Sequence, residues 1–363
     1  MNELQLKIRY QGREDFTLDL QCELPARGIT AIYGPSGSGK TSLLDCIAGL
    51  RQADTGSRIR FREETWQENG KVIPAWKREI GYVFQDARLF SHLQVKDNLE
   101  YGLRRRGQRS GPTTDQVARW LDLENLLHSA TEQLSAGQKQ RVAIGRALLS
   151  APKLLLLDEP LANLDHRAAQ QCLGYLQRLE DELDLPMLYV SHDIEEVSQL
   201  ADQLLLLENG QVVDQGSTLA LCSRLDTRLS REEQAAAITL CKIARHDPDF
   251  GLTELKLEGQ PLYVSHLDQT PGQRRRVRIP ARDVSICRQR PQDSSILNIL
   301  PVTLLEMRES GEARVMLRLG IGEQHLLARI TRKSAHQLQL QVGDSLFAQV
   351  KSAALLMEAG DNT

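Results

Sequence analysis

Eight consecutive residues, Gly34, Pro35, Ser36, Gly37, Ser38, Gly39, Lys40 and Thr41, have the make-up of a phosphate cradle. They fit the pattern G-x-x-x-x-G-K-[ST], whose glycines let backbone N–H groups turn inward around a phosphate. In that pattern Lys40 reaches the β- and γ-phosphates, the Thr41 hydroxyl binds Mg²⁺, and Ser42 begins a helix whose N-terminus favours the anion. A second element, LLLLDEP at 154–160, supplies acidic groups. Asp158 ends an apolar strand, where it can hold Mg²⁺ through water, and Glu159 can orient or deprotonate an attacking water. Alone, such an acidic pair serves equally well as a helix N-cap. The phosphate loop upstream favours the metal and water roles.

These groups need elements to hold them in register. ITAIY at 29–33 is a short apolar strand just before the phosphate loop, and SLLDCIAGL at 42–50 has helical spacing just after it. Residues 3–9 and 15–22 alternate apolar and polar and read as paired strands around the turn QGRED. IGYVF, LLLLDEP, LPMLYVSH and QLLLLENGQVV add further strands, with helical patterns between them and mostly helical character over 95–150. Strands alternating with helices predict an α/β core with a largely parallel sheet. Residues 231–245 read as a helix, and short alternating strands dominate from 252 onward. Turn signals at ESGE, GIGE and VGD suit a small barrel over roughly 294–357, and PQD at 291–293 reads as a junction.

A net charge of -3 gives no global attraction to nucleic acid or to an anionic membrane surface, so no nucleic-acid partner is expected. No apolar run approaches the ~18 residues of a membrane-spanning helix. The alternating N-terminus lacks the apolar core of a signal peptide. The chain is therefore expected in the cytoplasm unless a partner holds it to a membrane. Six scattered cysteines form no C-x-x-C pair and read as reduced, mostly buried residues rather than a metal site.

LSAGQKQRVAIGRALL at 134–149 carries a family resemblance. LSAGQ resembles the LSGGQ signature of ABC-transporter ATPases, with Ala136 as the departure and Ser135, Gly137 and Gln138 retained. The resemblance implies that this second anion cradle contacts the γ-phosphate held by another copy's phosphate loop. It therefore implies a head-to-tail homodimer with two ATP molecules at the interface. Gln85 in VFQDARLF matches the family's Q-loop, which touches Mg²⁺ and the attacking water. Asp165 in LANLD matches the D-loop, and His192 in LYVSHD the switch histidine that contacts the γ-phosphate. Tyr10 is a candidate for stacking on adenine, with Phe16 as rival; either one could equally be core. DARLF lies where the family contacts a permease's cytoplasmic coupling helix. Chromosome-maintenance ATPases share this head but insert a long coiled coil between phosphate loop and signature; no sustained heptads occur here.

The tail narrows the resemblance. SSILNILPV at 294–302 and LFAQVKSAAL at 346–355 resemble the opening and closing strands of the small Mop (TOBE-type) oxyanion-binding domain. The positions matching its oxyanion donors are Ser295, Asn298, Lys351 and Ser352, with Leu297 where the family has Arg. The same residues read equally as a turn cap and a solvated lysine. Together with GITAIYGPSGSGKTSLLDCIAGL, IGYVFQDARLF and PMLYVSHDIEEV, the whole chain resembles the ATP-binding subunits of bacterial molybdate importers. The resemblance implies an ATP hydrolase at the cytoplasmic face of the inner membrane. It would act on integral-membrane permease subunits fed by a periplasmic molybdate-binding protein. Sulfate or thiosulfate import is the near alternative. The expected fold class is an α/β P-loop NTPase of ABC type with a helical subdomain, followed by an all-β OB-like domain. The expected divisions are 1–230, 231–291 and 292–357.

Overall fold

The computed structural model describes residues 3–12, 16–351 and 356–357. The chain divides into two compact units, Met1–Gln215 and Gly216–Thr363. The expected donor Ser352 lies outside the described residues.

In the first unit, β1 (Glu3–Gln11) and β2 (Thr17–Pro25) pair antiparallel and bury alternate residues, Leu4, Leu6 and Ile8 against Leu18, Leu20 and Cys22. This is the hairpin that their period of two predicts. β3 (Ile29–Tyr33) leads through the phosphate loop into α1 (Lys40–Ala48). β4 (Arg58–Phe61), β5 (Glu64–Glu68) and β6 (Lys71–Val72) extend the β1–β2 sheet. β7 (Ile80–Val83) precedes α2 (Val95–Arg105), α3 (Thr114–Trp120) and α4 (Ala136–Leu149). β8 (Leu154–Asp158), α5 (His166–Glu182), β9 (Met187–Ser191), α6 (Ile194–Leu200), β10 (Gln203–Glu208) and β11 (Gln211–Ser217) follow.

The central sheet has the order β11-β10-β3-β9-β8-β7, with β10, β3, β9, β8 and β7 successively parallel. Every residue of β3, β8 and β9 is buried, as parallel strands covered on both faces require. Their register aligns Tyr33 with Ser191 and Asp158 with Val190, so the three carboxyl ends finish side by side. Ligands of open α/β sheets bind outside such ends. α2 and α4 cross closely: a Cβ on Gly102 would lie 2.1 Å from the Arg146 carbonyl oxygen.

The far end of α1 is held by a single cation. Arg78 is fully buried and donates to the carbonyls of Cys46 (2.9 Å) and Ile47 (2.7 Å) in the last turn, and to Ile73 (2.8 Å). Burial lowers its pKa to about 10, yet it stays charged and serves the helix carbonyls that lack intrahelical partners.

The second unit opens with α7 (Thr218–Cys222) and a 3₁₀ turn at Arg228–Arg231. The sequence predicts a helix over 231–245, but from Ala236 the chain forms strand β12 (Ala236–Asp247). The Ala- and Glu-rich sequence favours helix locally. Pairing on both sides, with β13 (Leu252–Leu257) and later β15 (Arg274–Pro280), overrides that preference. β14 (Gln260–Ser265) completes the hairpin with β13. β16 (Val284–Cys287), β17 (Asn298–Ser310), β18 (Arg314–Ile321), β19 (Gln324–Thr331), α8 (Arg332–Gln337), β20 (Ser345–Val350) and β21 (Leu356–Met357) follow. The strands on either side of 291–293 are joined, because β16 pairs with β20 and one core contains Cys241, Leu255 and Val277 along with Leu300, Leu317 and Val350.

The buried guanidinium yields a stability test. Arg78→Met fills much of the space but removes the guanidinium donors from the Cys46 and Ile47 carbonyls, of which Cys46 keeps the Gly49 N–H. A loss of roughly 3 kcal/mol is expected, measured by denaturant unfolding of the nucleotide-free chain; an unchanged midpoint would refute the capping role.

Candidate functional site

The phosphate loop bridges the carboxyl end of β3 and the start of α1. Gly37 and Gly39 take φ of 80° and 101°, which side-chain-bearing residues rarely adopt. Gly34 packs so tightly that an added Cβ would meet the Leu207 carbonyl oxygen at 2.1 Å. Ser36 and Gly37 are exposed at the apex, while Pro35 is half-buried. The start of α1 is bare: its N-cap is Gly39, no side chain caps it, and its first turn has no acidic residue. Its N–H groups are thus available to an anion. The buried Ser38 hydroxyl has no hydrogen-bond partner among the described residues.

Lys40 is buried and folds back on the loop, its Nζ donating to the carbonyls of Gly34 (2.9 Å) and Pro35 (3.0 Å). Glu159 Oε1 lies 3.6 Å away. Thr41 Oγ1 donates to Asp158 Oδ1 at 3.1 Å. A hydroxyl and a carboxylate side by side form an oxygen donor set suited to a hard divalent cation. Burial raises the Asp158 pKa above the usual carboxylate range, the hydrogen bond from Thr41 opposes it, and the charges of Asp45 and Glu159 add to the rise. The phenol of Tyr82 lies 3.4 Å from Asp158 Oδ2 and 3.1 Å from Asp45 Oδ1, and its own pKa is driven up, first by burial.

Glu159, just past β8, is held at φ 44°, a left-handed conformation that is uncommon outside glycine. Its N–H donates to the Val190 carbonyl on β9. His192 follows β9 and places Nδ1 3.3 Å from Glu159 Oε2, with more than half of its side chain exposed. Glu196 braces the turn around His192: its Oε2 accepts from the Tyr189 phenol and the Ser191 hydroxyl, both at 2.7 Å. The Ser191 oxygen in turn accepts from the Asp193 N–H. Lys40, Thr41, Asp158, Glu159 and His192 thus form one linked group, as the motifs predict.

Gln85 is exposed just past β7 and lines a cleft of about 380 Å³ with Ala136, Lys139 and Asn163. The loop after it is fastened from below. Buried Asn98 bonds the N–H and carbonyl of Phe90 and the carbonyls of Leu93 and Gln94, while Arg146 on α4 donates to Ala87. Ser135 caps α4 in a reciprocal capping box with Gln138, at 2.8 and 3.3 Å, and Gly137 is buried behind them. Asp165 is exposed and caps α5 through the Ala168 N–H. Tyr10 and Phe16 both border an open cleft of about 580 Å³ with Ser42 and Arg51. Phe16 also packs over Gly39.

In the second unit, Ser295 and Lys351 are exposed, and Leu297 is 56% exposed. Asn298, an expected oxyanion donor, sits inside the domain rather than at its surface. It is fully buried, its carbonyl oxygen accepting from the Tyr263 N–H at 2.6 Å and its amide donating to the Tyr263 carbonyl at 2.9 Å. Its hydrogen bonds fasten β17 to β14, because a buried amide must satisfy both ends. The adjacent Ser294, not singled out by the motif, accepts from the Ile296 N–H and the Gln349 amide.

Two substitutions test this arrangement. Because the folded-state pKa of Asp158 is raised, its ionisation opposes folding as pH climbs from the ordinary carboxylate range upward. Asp158→Asn should therefore raise the melting temperature of the nucleotide-free chain at pH 7, with the gain shrinking as pH falls. No gain at pH 7 would contradict the electrostatic reading. Asn98→Leu should cost roughly 2 kcal/mol and speed hydrogen exchange at the Phe90 amide; unaltered exchange there would show that Asn98 does not hold the loop.

The comparisons agree with this geometry. Residues 18–162 match the ABC transporter family model, and residues 294–357 the TOBE domain model. The molybdenum import ATP-binding protein ModC of Hahella chejuensis is 45% identical, over 96% of this chain and 97% of its own. That of Pseudomonas fluorescens is 46% identical, over 95% and 97%. Among solved structures, the dimeric ATP-binding cassette MJ0796 bound to ADP and Pi aligns at TM-score 0.52 and 25% identity, covering 59% of this chain and 98% of that one. CbiO1 of Clostridium perfringens, part of the ABC transporter complex cbiONQ, aligns at TM-score 0.53 and 28% identity, covering 63% and 96%. An ABC ATPase site on β3, β8 and β9, a TOBE match later in the chain and near-full-length similarity lead to one assignment: the chain belongs to the molybdenum import ATP-binding proteins of the ABC-transporter family.

Proposed function

We propose that this chain hydrolyses ATP to drive molybdate uptake, two copies acting as a homodimer on two integral-membrane permease subunits. A periplasmic molybdate-binding protein would feed that complex, and the chain would sit at the cytoplasmic face of the inner membrane. The observation that carries the reading is the linked group Lys40, Thr41, Asp158, Glu159 and His192, in a chain 45% identical to a molybdenum import protein through its TOBE domain. Among the described residues no helix is long and apolar enough to cross a membrane, so the path for the anion belongs to other subunits.

In this mechanism Lys40 leaves the Gly34 and Pro35 carbonyls for the β- and γ-phosphates. The loop from Gly34 to Gly39 and the bare start of α1 donate N–H groups to the phosphates, with Ser38 and Ser42 beside them. Thr41 and Asp158, with Gln85, hold Mg²⁺, which when bound neutralises phosphate charge. Glu159 takes the proton of the attacking water, and His192 polarises the γ-phosphate from its place beside Glu159. Tyr10 stacks on adenine at the mouth of its cleft. Ser135, Gly137, Gln138 and Asp165 serve the ATP of the opposite copy, and the Asn98-fastened loop after Gln85 meets the permease. In the TOBE domain, Ser295, Asn298, Lys351 and Ser352 are the proposed oxyanion contacts.

Glu159→Gln should lower ATP turnover by at least ~100-fold while leaving ATP affinity within about twofold. Normal hydrolysis would remove Glu159 as the base. Loss of the gene should abolish high-affinity molybdate uptake; intact molybdate uptake with sulfate uptake lost would reject the substrate.

A further inference from the structure

Tyr82, within IGYVFQDARLF, has no assigned role in the motifs above, yet it touches the carboxylate at their centre. It lies within β7, level with Leu156 of the neighbouring β8, and β8 ends at Asp158. Its phenol lies 3.4 Å from Asp158 Oδ2, whereas Thr41 occupies Oδ1. The same phenol is 3.1 Å from Asp45 Oδ1. One hydroxyl proton thus faces two carboxylates and can serve only one at a time. The second oxygen of Asp45 is taken by Arg51 Nε at 2.8 Å, and Arg51 Nη1 donates to the Tyr10 phenol oxygen at 3.2 Å.

The ring that carries this phenol is fixed from its other side. Tyr82 stacks on Phe84, with centroids 4.3 Å apart and planes at 26°. The Arg88 guanidinium lies 3.9 Å above the Phe84 ring. Gln85 and its loop therefore begin at the end of a stack that terminates on Asp158. A phenol held this way cannot follow a rotating carboxylate; it sets the carboxylate's orientation instead.

We propose that Tyr82 is a positioning residue for the cation site. Its phenol holds Oδ2 of Asp158, so that Oδ1 stays beside the Thr41 hydroxyl as the second oxygen donor. Asp45, anchored by Arg51, is the alternative acceptor of the phenol proton and joins the Tyr10 side of the nucleotide cleft to the metal side. Hydrogen bonds to a ligating carboxylate orient it, and their loss typically weakens metal binding by about 10- to 100-fold. The inference rests on Asp158 being a Mg²⁺ ligand, and the experiment separates the two.

The test compares the full-length wild-type chain with Tyr82→Phe, which keeps the ring stack and removes one oxygen. Binding of a ribose-labelled fluorescent ATP is titrated without Mg²⁺ and then at rising Mg²⁺. Mn²⁺ bound in the presence of ATP is counted by electron paramagnetic resonance. The expected result is an about tenfold rise in the Mg²⁺ or Mn²⁺ needed for half-saturation, with metal-free nucleotide affinity unchanged. A general packing defect would instead weaken metal-free binding as well, and that result overturns the proposal. An unchanged metal requirement also overturns it. Asp158→Asn serves as the reference: if that variant retains full metal affinity, the Mg²⁺ assignment itself fails, and the positioning role fails with it. Tyr82→Leu, which removes both ring and hydroxyl, gives a second reading. Its metal requirement should rise at least as far as that of Tyr82→Phe, and a smaller rise counts against the phenol.

Discussion

The parallel register of β3, β9 and β8 is the constraint on which the site depends. Each strand is buried along its whole length, so none can slip without moving apolar residues out of a filled core. That register finishes the strands at one edge, and each next residue carries chemistry: Gly34, Glu159 and His192. Loops alone would not hold a carboxylate and an imidazole 3.3 Å apart in the nucleotide-free state. The left-handed turn at Glu159 is tolerated because its N–H is tied to Val190 on the neighbouring strand.

Around that edge the protein leaves specific groups short of partners. α1 begins without a cap, Ser38 is buried without one, and Lys40 settles for the carbonyls of its own loop. These are the deficits that an anion with bound cation would fill, so nucleotide binding would also stabilise this edge. The opposite end of α1 shows the reverse: Arg78 over-satisfies its carbonyls at the expense of a buried charge. One helix is thus anchored at its back and open at its front.

How much of this was legible beforehand depended on distance along the chain. Alternation disclosed the β1–β2 hairpin, and apolar runs disclosed β3, β8 and β9, because those signals are local. The phosphate loop, the acidic pair and the capping box of Ser135 and Gln138 are also local patterns. β12 was misread because Glu- and Ala-rich stretches favour helix, and only pairing with distant β15 makes it a strand. That Asn298 bonds across to Tyr263 is likewise hidden from the sequence. Tyr82 and Arg78 act through partners far along the chain, Asp158 and Ile47 among them. No spacing rule announces such side chains.

The chain pairs an ABC transporter match over 18–162 with a TOBE match over 294–357, and its relatives are molybdenum import proteins. The most direct measurement is therefore ATP hydrolysis by this chain assembled with its permease in lipid vesicles, with the cognate binding protein on the other side. Hydrolysis should rise several-fold when that protein is loaded with molybdate and should move molybdate into the vesicles. Stimulation by a sulfate-loaded protein, with none from molybdate, would contradict the assignment.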